Sequence, residues 1–236
     1  KENNFIFLGY RDFDFEEGED VKFNNKSELG IFKSKINRDY DNRIKGIPYS
    51  SDVILKNSQL VEITKSSRKS IVHRPVHMDY IAVKKYDEKG NIVGEERYIG
   101  LFTSKVYYQS ALRIPIIRRK IKNVINTAGF RSNSHNGKAL IAVLEGHPRD
   151  ELLQSSEEEL FEIGMGIVSL SEKPETRVFI RQDRFLRFFS CILFIPREFF
   201  TTHLRQSIQS ILEDELEGKV MDYYTQVTES PLARVN

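Results

Sequence analysis

The stretch HRPVHMDYIAVKKYDEKGNIVGEERYIGLFTSKVYY, residues 73–108, decides how the first half of the chain folds. Two runs rich in β-branched and aromatic residues, Met78–Tyr86 and Ile92–Phe102, flank a polar break, Asp87-Glu88-Lys89-Gly90-Asn91. Gly90 tolerates the positive φ that closing a hairpin often needs, so the spacing predicts a long antiparallel hairpin. The run Tyr98–Ser104 is apolar on both alternations, the pattern of a strand covered on both faces, and it should be central in its sheet. Beyond it Ile114, Ile117, Ile121, Val124, Ile125 and Ala128 recur at helical spacing behind a well-placed Pro115, which predicts a helix lying across that sheet.

Towards the N-terminus, Phe5–Tyr10 reads as a short aromatic strand followed by an acidic stretch, Asp12–Asp20. Glu28–Lys33 and Leu60–Thr64 supply two further strands, separated by a polar loop, Asn37–Asp52, that contains Gly46 and Pro48. Residues 1–130 are therefore expected to form an α+β module of about five antiparallel strands and a helix, in a PAS- or GAF-like outline.

Towards the C-terminus the signal turns helical. Leu140, Val143 and Leu144 share a face after Ser134, Pro148 opens a short turn, and Ser156 with Glu159 has capping-box spacing ahead of Leu160, Ile163 and Ile167. Gly164 and Gly166 weaken that helix unless a neighbouring backbone packs against them. Residues 131–174 read as a helical connector. Then come Arg177–Asp183, a turn around Arg184, Phe188–Ile195, and a helix from Thr202 with Leu204, Ile208, Ile211, Leu212 and Leu216 inward. Gly218 should end the helix, Val220–Thr228 should form a third strand and Leu232 should begin a fourth. That order, ββαββ, predicts an ACT-like (ferredoxin-like) module over residues 175–236, truncated at its C-terminal end.

With 36 Lys+Arg against 34 Asp+Glu among 236 residues, the formal charge is +2, and composition points to no nucleic-acid partner. The longest apolar run, Phe188–Ile195, falls well short of the roughly 20 residues needed to span a bilayer, so no membrane span is expected. The opening Lys-Glu-Asn-Asn lacks the layout of a signal peptide, and a single cysteine, Cys191, cannot form an intrachain disulfide, which together favour the cytoplasm. A chain that opens on Lys and closes at Val235-Asn236, inside an expected strand, reads as a piece of a longer protein.

His73 and His77 have the spacing of a helical zinc pair, but Pro75 between them and the β-rich context argue for a strand, where four residues span about 13 Å. On a strand His73, His77 and Asp79 would share one face, lining a polar ligand pocket or a solvated surface. Arg113, Arg118, Arg119, Lys120 and Lys122 form a basic run on the following helix, read first as its solvated face and second as a surface for an acidic partner or anionic effector. The candidate ligand or interface face is thus His73, His77, Asp79, Arg118 and Arg119. Ser134-His135-Asn136-Gly137-Lys138 fits a capped helix start better than a phosphate loop, and Cys191 reads as a core residue. There is no G-x-G-x-x-G, G-x-x-x-x-G-K-[ST], G-x-S-x-G or C-x-x-C, and no catalytic, cofactor-binding or metal residue is assigned.

Several segments resemble the large bacterial NAD-specific glutamate dehydrogenases: Phe7–Arg11, His73–Val76 with Met78–Ile81, Tyr98–Ser104, Ile114-Pro115 with Arg118–Lys120, Ser134–Leu140, Pro148–Leu152 and Glu229–Val235. They run in the family's order along nearly the whole chain. The departures are Asn136, where the family usually has Asp, and Leu153, where it usually has Phe. The resemblance implies the N-terminal region ahead of the dehydrogenase domain, carrying ACT-like and helical modules, with a regulatory or architectural role. It implies that the full-length enzyme converts L-glutamate, NAD⁺ and water to 2-oxoglutarate, ammonium and NADH in amino-acid catabolism, and that NAD and the catalytic Lys and Asp belong to the later domain. It also implies the rest of the parent chain and a homo-oligomer as partners, with an amino acid as candidate effector. Two other classes are a free-standing small-ligand sensor module and a small hydrolase built on His73, His77 and Asp79.

Overall fold

A computed structural model gives the fold of residues 4–14, 22–23, 27–33, 59–131, 133–183, 186–227 and 230–236. The expected loop Asn37–Asp52, the turn residue Arg184 and the acidic stretch from residue 15 to residue 20 lie outside the described residues. In chain order the strands are β1 (Phe5–Asp14), β2 (Lys22–Phe23), β3 (Leu29–Gly30), β4 (Val61–Lys69), β5 (His77–Tyr86) and β6 (Ile92–Phe102). Five helices follow: α1 (Ser104–Tyr108), α2 (Pro115–Thr127), α3 (His135–Glu145), α4 (Arg149–Gln154) and α5 (Glu157–Glu172). The chain ends with β7 (Arg177–Gln182), β8 (Phe189–Pro196), α6 (Thr202–Glu215), β9 (Thr225–Gln226) and β10 (Leu232–Val235). Two units emerge, one of Lys1–Arg119 with His147–Ser155, the other of Lys120–Gly146 with Ser156–Asn236.

In the first unit the antiparallel sheet has the order β2-β1-β6-β5-β4, with β3 also paired to β1. β6 is central, as its two-sided apolar run requires: Tyr98 pairs with Tyr10 on one side and with Ile81 on the other. Gly90 takes φ +84 in the β5–β6 loop, where the Asp87 carboxylate accepts the Lys89 and Asn91 N–H groups. The expected strand Glu28–Lys33 is cut to two residues, because Gly30 adopts φ +61 and the chain turns into a 3-10 helix at Ile31–Lys33. Met78, Ile99 and Leu101 form an apolar cluster on the sheet, with Ile6, Leu8, Ile31 and Phe32 packed against it.

α2 forms as its spacing predicts, and Ile117, Ile121 and Val124 are buried along one stripe. Arg113 before it and Arg118, Arg119 and Lys122 on it are exposed. Lys120 corrects the reading of a wholly solvated basic run: three residues after Ile117 and four before Val124, it falls at the edge of the apolar stripe and is buried.

In the second unit α3 and α5 are each capped as their sequences specify. Ser134 Oγ accepts the Gly137 N–H at 3.1 Å. Ser156 Oγ accepts the Glu159 N–H at 3.1 Å while Glu159 accepts the Ser156 N–H at 2.7 Å, a complete capping box. The glycines of α5 face side chains rather than a backbone: a Cβ on Gly164 would sit 2.9 Å from Leu140 Cδ1, and one on Gly166 2.6 Å from the Phe179 ring.

The four strands β7-β8-β10-β9 are antiparallel, in the expected ββαββ order. Alternation along β8 sends Ile192 and Phe194 to one face, where α5 packs through Ile163, Ile167 and Leu170. It sends Leu193 and Ile195 to the other, where Phe200, Leu204 and Ile208 cover them together with Val235. α6 therefore packs through its first half. Ile211, expected inward, is 58% exposed, because periodicity sets the width of an apolar stripe but not how far the opposing sheet extends. The left-handed residue after α6 is Glu217, at φ +49, one position before the expected Gly218. The third strand shrinks from Val220–Thr228 to Thr225–Gln226, and Thr228 lies outside the described residues.

Candidate functional site

The first unit brings three polar side chains, Asp79, Tyr107 and Asp150, from remote parts of the chain onto one cation, Lys65. Lys65 in β4 pairs across the ladder with Asp79 in β5, which in turn pairs with Gly100 in β6. Cross-strand neighbours stand about 5 Å apart, so the lysine amine reaches Asp79 Oδ1 at 2.6 Å. The other oxygen of Asp79 accepts the Phe102 N–H at 2.6 Å, which fixes the carboxylate against β6. From above, Lys65 Nζ also lies 3.0 Å from Asp150 Oδ1 in α4 and 3.3 Å from the Tyr107 hydroxyl in α1. Tyr107 donates to Asp150 at 3.0 Å. Arg149 ties α4 to the end of α1 by donating to the Gln109 carbonyl at 3.2 Å.

One lysine thus serves two carboxylates. Burial works against the Lys65 charge, but Asp150 and Asp79 outweigh it and hold its pKa above the usual lysine range. Burial pushes the Asp79 carboxyl up; Lys65 and the Phe102 N–H oppose this, and the second carboxylate, Asp150, adds to it. Burial and the adjacent Asp150 likewise raise the Tyr107 phenol, which stays a neutral donor. Asp79 is fully enclosed, whereas the Asp150 side chain is 37% exposed.

Of the residues singled out from sequence, Asp79 lies at the centre of this cluster. His77 stands at its margin, half-buried, with Nδ1 3.0 Å from the Ser66 carbonyl. His73 does not share their strand face. Pro75 cannot donate to a ladder, and residues 70–76 form a tight loop in which Ser70 bonds Val76 and Arg74 bonds Val72. His73 is exposed there at φ +62, and β5 starts only at His77. Arg74, beside it, donates to the Phe102 carbonyl at 2.7 Å and places its guanidinium 5.8 Å from the Tyr107 ring centre. Arg118 and Arg119 are exposed on α2, and no described contact brings them to the cluster. Among the described residues no group of three or more His, Cys, Asp or Glu is placed to hold a metal ion.

Sequence reasoning missed Lys65, Tyr107 and Asp150. The available signal was a charged residue at a strand position flanked by apolar neighbours, as Asp79 is by Met78, Tyr80 and Ile81, since an enclosed carboxylate needs a cation. The same reasoning applies to a second buried set in this unit. Lys84 donates to Glu95 at 2.8 Å, with Glu62 at 3.8 Å. Arg97 donates to the other Glu95 oxygen and stacks 3.7 Å over the Phe13 ring. Burial would raise the Glu95 carboxyl, but Arg97 and Lys84 bring it below the usual range. Both sets are charge-paired and hydrogen-bonded, the chemistry of a fixed scaffold or of a carboxylate-binding site; neither aligns a nucleophile with a base.

Comparison with known proteins then places the chain. Residues 114–173 match the family model described as glutamate dehydrogenase, helical motif 1, and residues 177–236 the one described as glutamate dehydrogenase, ACT2 domain. The NAD-specific glutamate dehydrogenase of Halomonas elongata is 40% identical over 238 residues, covering 99% of this chain and 15% of the relative. That of Pseudomonas aeruginosa is 37% identical over 240 residues, again 99% and 15%. That of Mycobacterium tuberculosis is 27% identical over 232 residues, 98% and 13%. The chain therefore spans about 15% of the length of the first two of these curated relatives. It belongs to the family of the large NAD-specific glutamate dehydrogenases, as the stretch that carries helical motif 1 and the ACT2 domain.

Proposed function

We propose that this chain is a non-catalytic regulatory and architectural part of a larger NAD-dependent glutamate dehydrogenase, which oxidises L-glutamate to 2-oxoglutarate and ammonium through a separate dinucleotide-binding domain. One observation carries the reading: in the two buried charged sets of the first unit the ionisable groups are spent on one another, Lys65 on Asp79 and Asp150, and Lys84 and Arg97 on Glu95. The strands described here pair antiparallel, and the sequence lacks a glycine-rich strand-to-helix turn. These residues do not fit the pyrophosphate of NAD.

The division of labour follows the sequence reading. Residues 1–130 serve as a PAS/GAF-like module, supported by the strand order β2-β1-β6-β5-β4. Residues 131–174 serve as the helical connector and 175–236 as the ACT-like module, joined in a cytoplasmic homo-oligomer to the rest of the parent chain. No helix among the described residues is long and apolar enough to cross a membrane. The test is glutamate-dependent NADH formation by the purified chain: none is expected, and saturable turnover would overturn the reading.

A further inference from the structure

Asp150 comes from a short helix far along the sequence, yet it sits where any small carboxylate would sit. Its Oδ1 takes a charged bond from Lys65 at 3.0 Å and a hydroxyl bond from Tyr107 at 3.0 Å. The two carboxylates on Lys65 are not equivalent. Asp79 is 3% exposed and also held by a backbone N–H, whereas Asp150 is 37% exposed. Arg74 is exposed and its guanidinium lies 5.8 Å from the same tyrosine ring; one of its five N–H donors is engaged by the Phe102 carbonyl through NH2.

We propose that Lys65 and Tyr107, with Arg74 at the rim, form a dicarboxylate-binding site that Asp150 fills as a built-in ligand. One carboxylate of a small dicarboxylate replaces Asp150 on Lys65 and Tyr107, and the second meets Arg74. The exchange leaves the charge around Lys65 unchanged, since one carboxylate is traded for another, and Asp79 stays in place to hold the lysine. What changes is α4: it loses the ionic contact of Asp150 with the sheet while its buried Leu152 and Leu153 remain packed, so occupancy and the Asp150 contact exclude each other. A tethered competitor lowers the apparent affinity by the fraction of time the site is filled.

This inference rests on the regulatory reading above, and it is tested on the whole chain with succinate as the probe, followed by calorimetry. Asp150→Ala should bind succinate at least about tenfold tighter than the unaltered chain, because the competitor is gone. Asp150→Asn, which keeps the side chain's shape, should shift affinity the same way by less. Lys65→Met placed on Asp150→Ala should abolish binding, and butyrate, with one carboxylate, should bind more weakly than succinate. L-Glutamate in place of succinate reports whether an α-ammonium is accepted. The proposal is overturned if folded Asp150→Ala and Asp150→Asn chains, checked by circular dichroism, give no saturable heat with succinate, or if binding survives Lys65→Met. Either result would leave the non-catalytic assignment standing, since NAD⁺ and turnover measurements test that independently.

Discussion

Asp79 and Asp150 share a single cation: Lys65 Nζ lies 2.6 Å from one and 3.0 Å from the other. The first carboxylate is part of the sheet and the second arrives on a helix from much later in the chain. The lysine therefore fixes a long-range contact as well as a strand pair. Removing one partner of such a set exposes what the others cost when left alone.

Lys65→Met should destabilise the chain by about 3–5 kcal/mol at neutral pH in urea unfolding, the usual effect of leaving a buried charge unpaired. The loss should shrink as pH falls. Without Lys65 the Asp79 carboxyl rises further above its unfolded value, so the folded state binds the extra proton and gains stability from neutral pH down towards the unfolded carboxylate range. A loss that grows on acidification would show that Asp79 does not carry the effect.

Glu95→Gln should behave in the opposite sense. The Glu95 carboxyl is lowered in the fold by Arg97 and Lys84 against the opposing pull of burial, so its contribution is present above the ordinary glutamate range and is lost as pH falls through the lowered value. The variant should lose about 3–5 kcal/mol near neutrality and show a flatter acid limb than the unaltered chain. Parallel acid limbs for the two would refute the assignment.

On α6, Ile208→Ala should cost about 1–2 kcal/mol, less than a fully buried isoleucine because the residue is only partly covered. Ile211→Ala should stay within about 0.5 kcal/mol of zero, as exposed substitutions do. Equal losses would show that the second half of the helix is covered in solution.

Ser156→Ala should cost about 0.5–2 kcal/mol by opening the capping box of α5. Hydrogen exchange should then quicken first in the opening turn of that helix, and unchanged protection there would mean the cap contributes little.

What the sequence made legible and what it did not separate along a physical line. Ser156 with Glu159, Gly90 in its loop, and Leu204 with Ile208 are local signals, each set by neighbours within a turn or a hairpin. The Lys65 cluster draws on β4, β5, α1 and α4, and nothing periodic links a lysine at 65 with an aspartate at 150. Pro75 excludes a helix at His73 and equally breaks the strand, so β5 starts only at His77 and His73 lies outside the face expected for it. Ile211 shows the same limit on a helix: the stripe was visible, its covering was not.

On the proposed division of labour, dinucleotide binding belongs to a separate domain of the parent enzyme. Titration of the purified chain with NAD⁺ in a calorimeter, up to millimolar cofactor, addresses it most directly. Only heats of dilution are expected. Saturable binding in the micromolar range, weakened by excess NADH, would contradict it and require a nucleotide site on these antiparallel sheets.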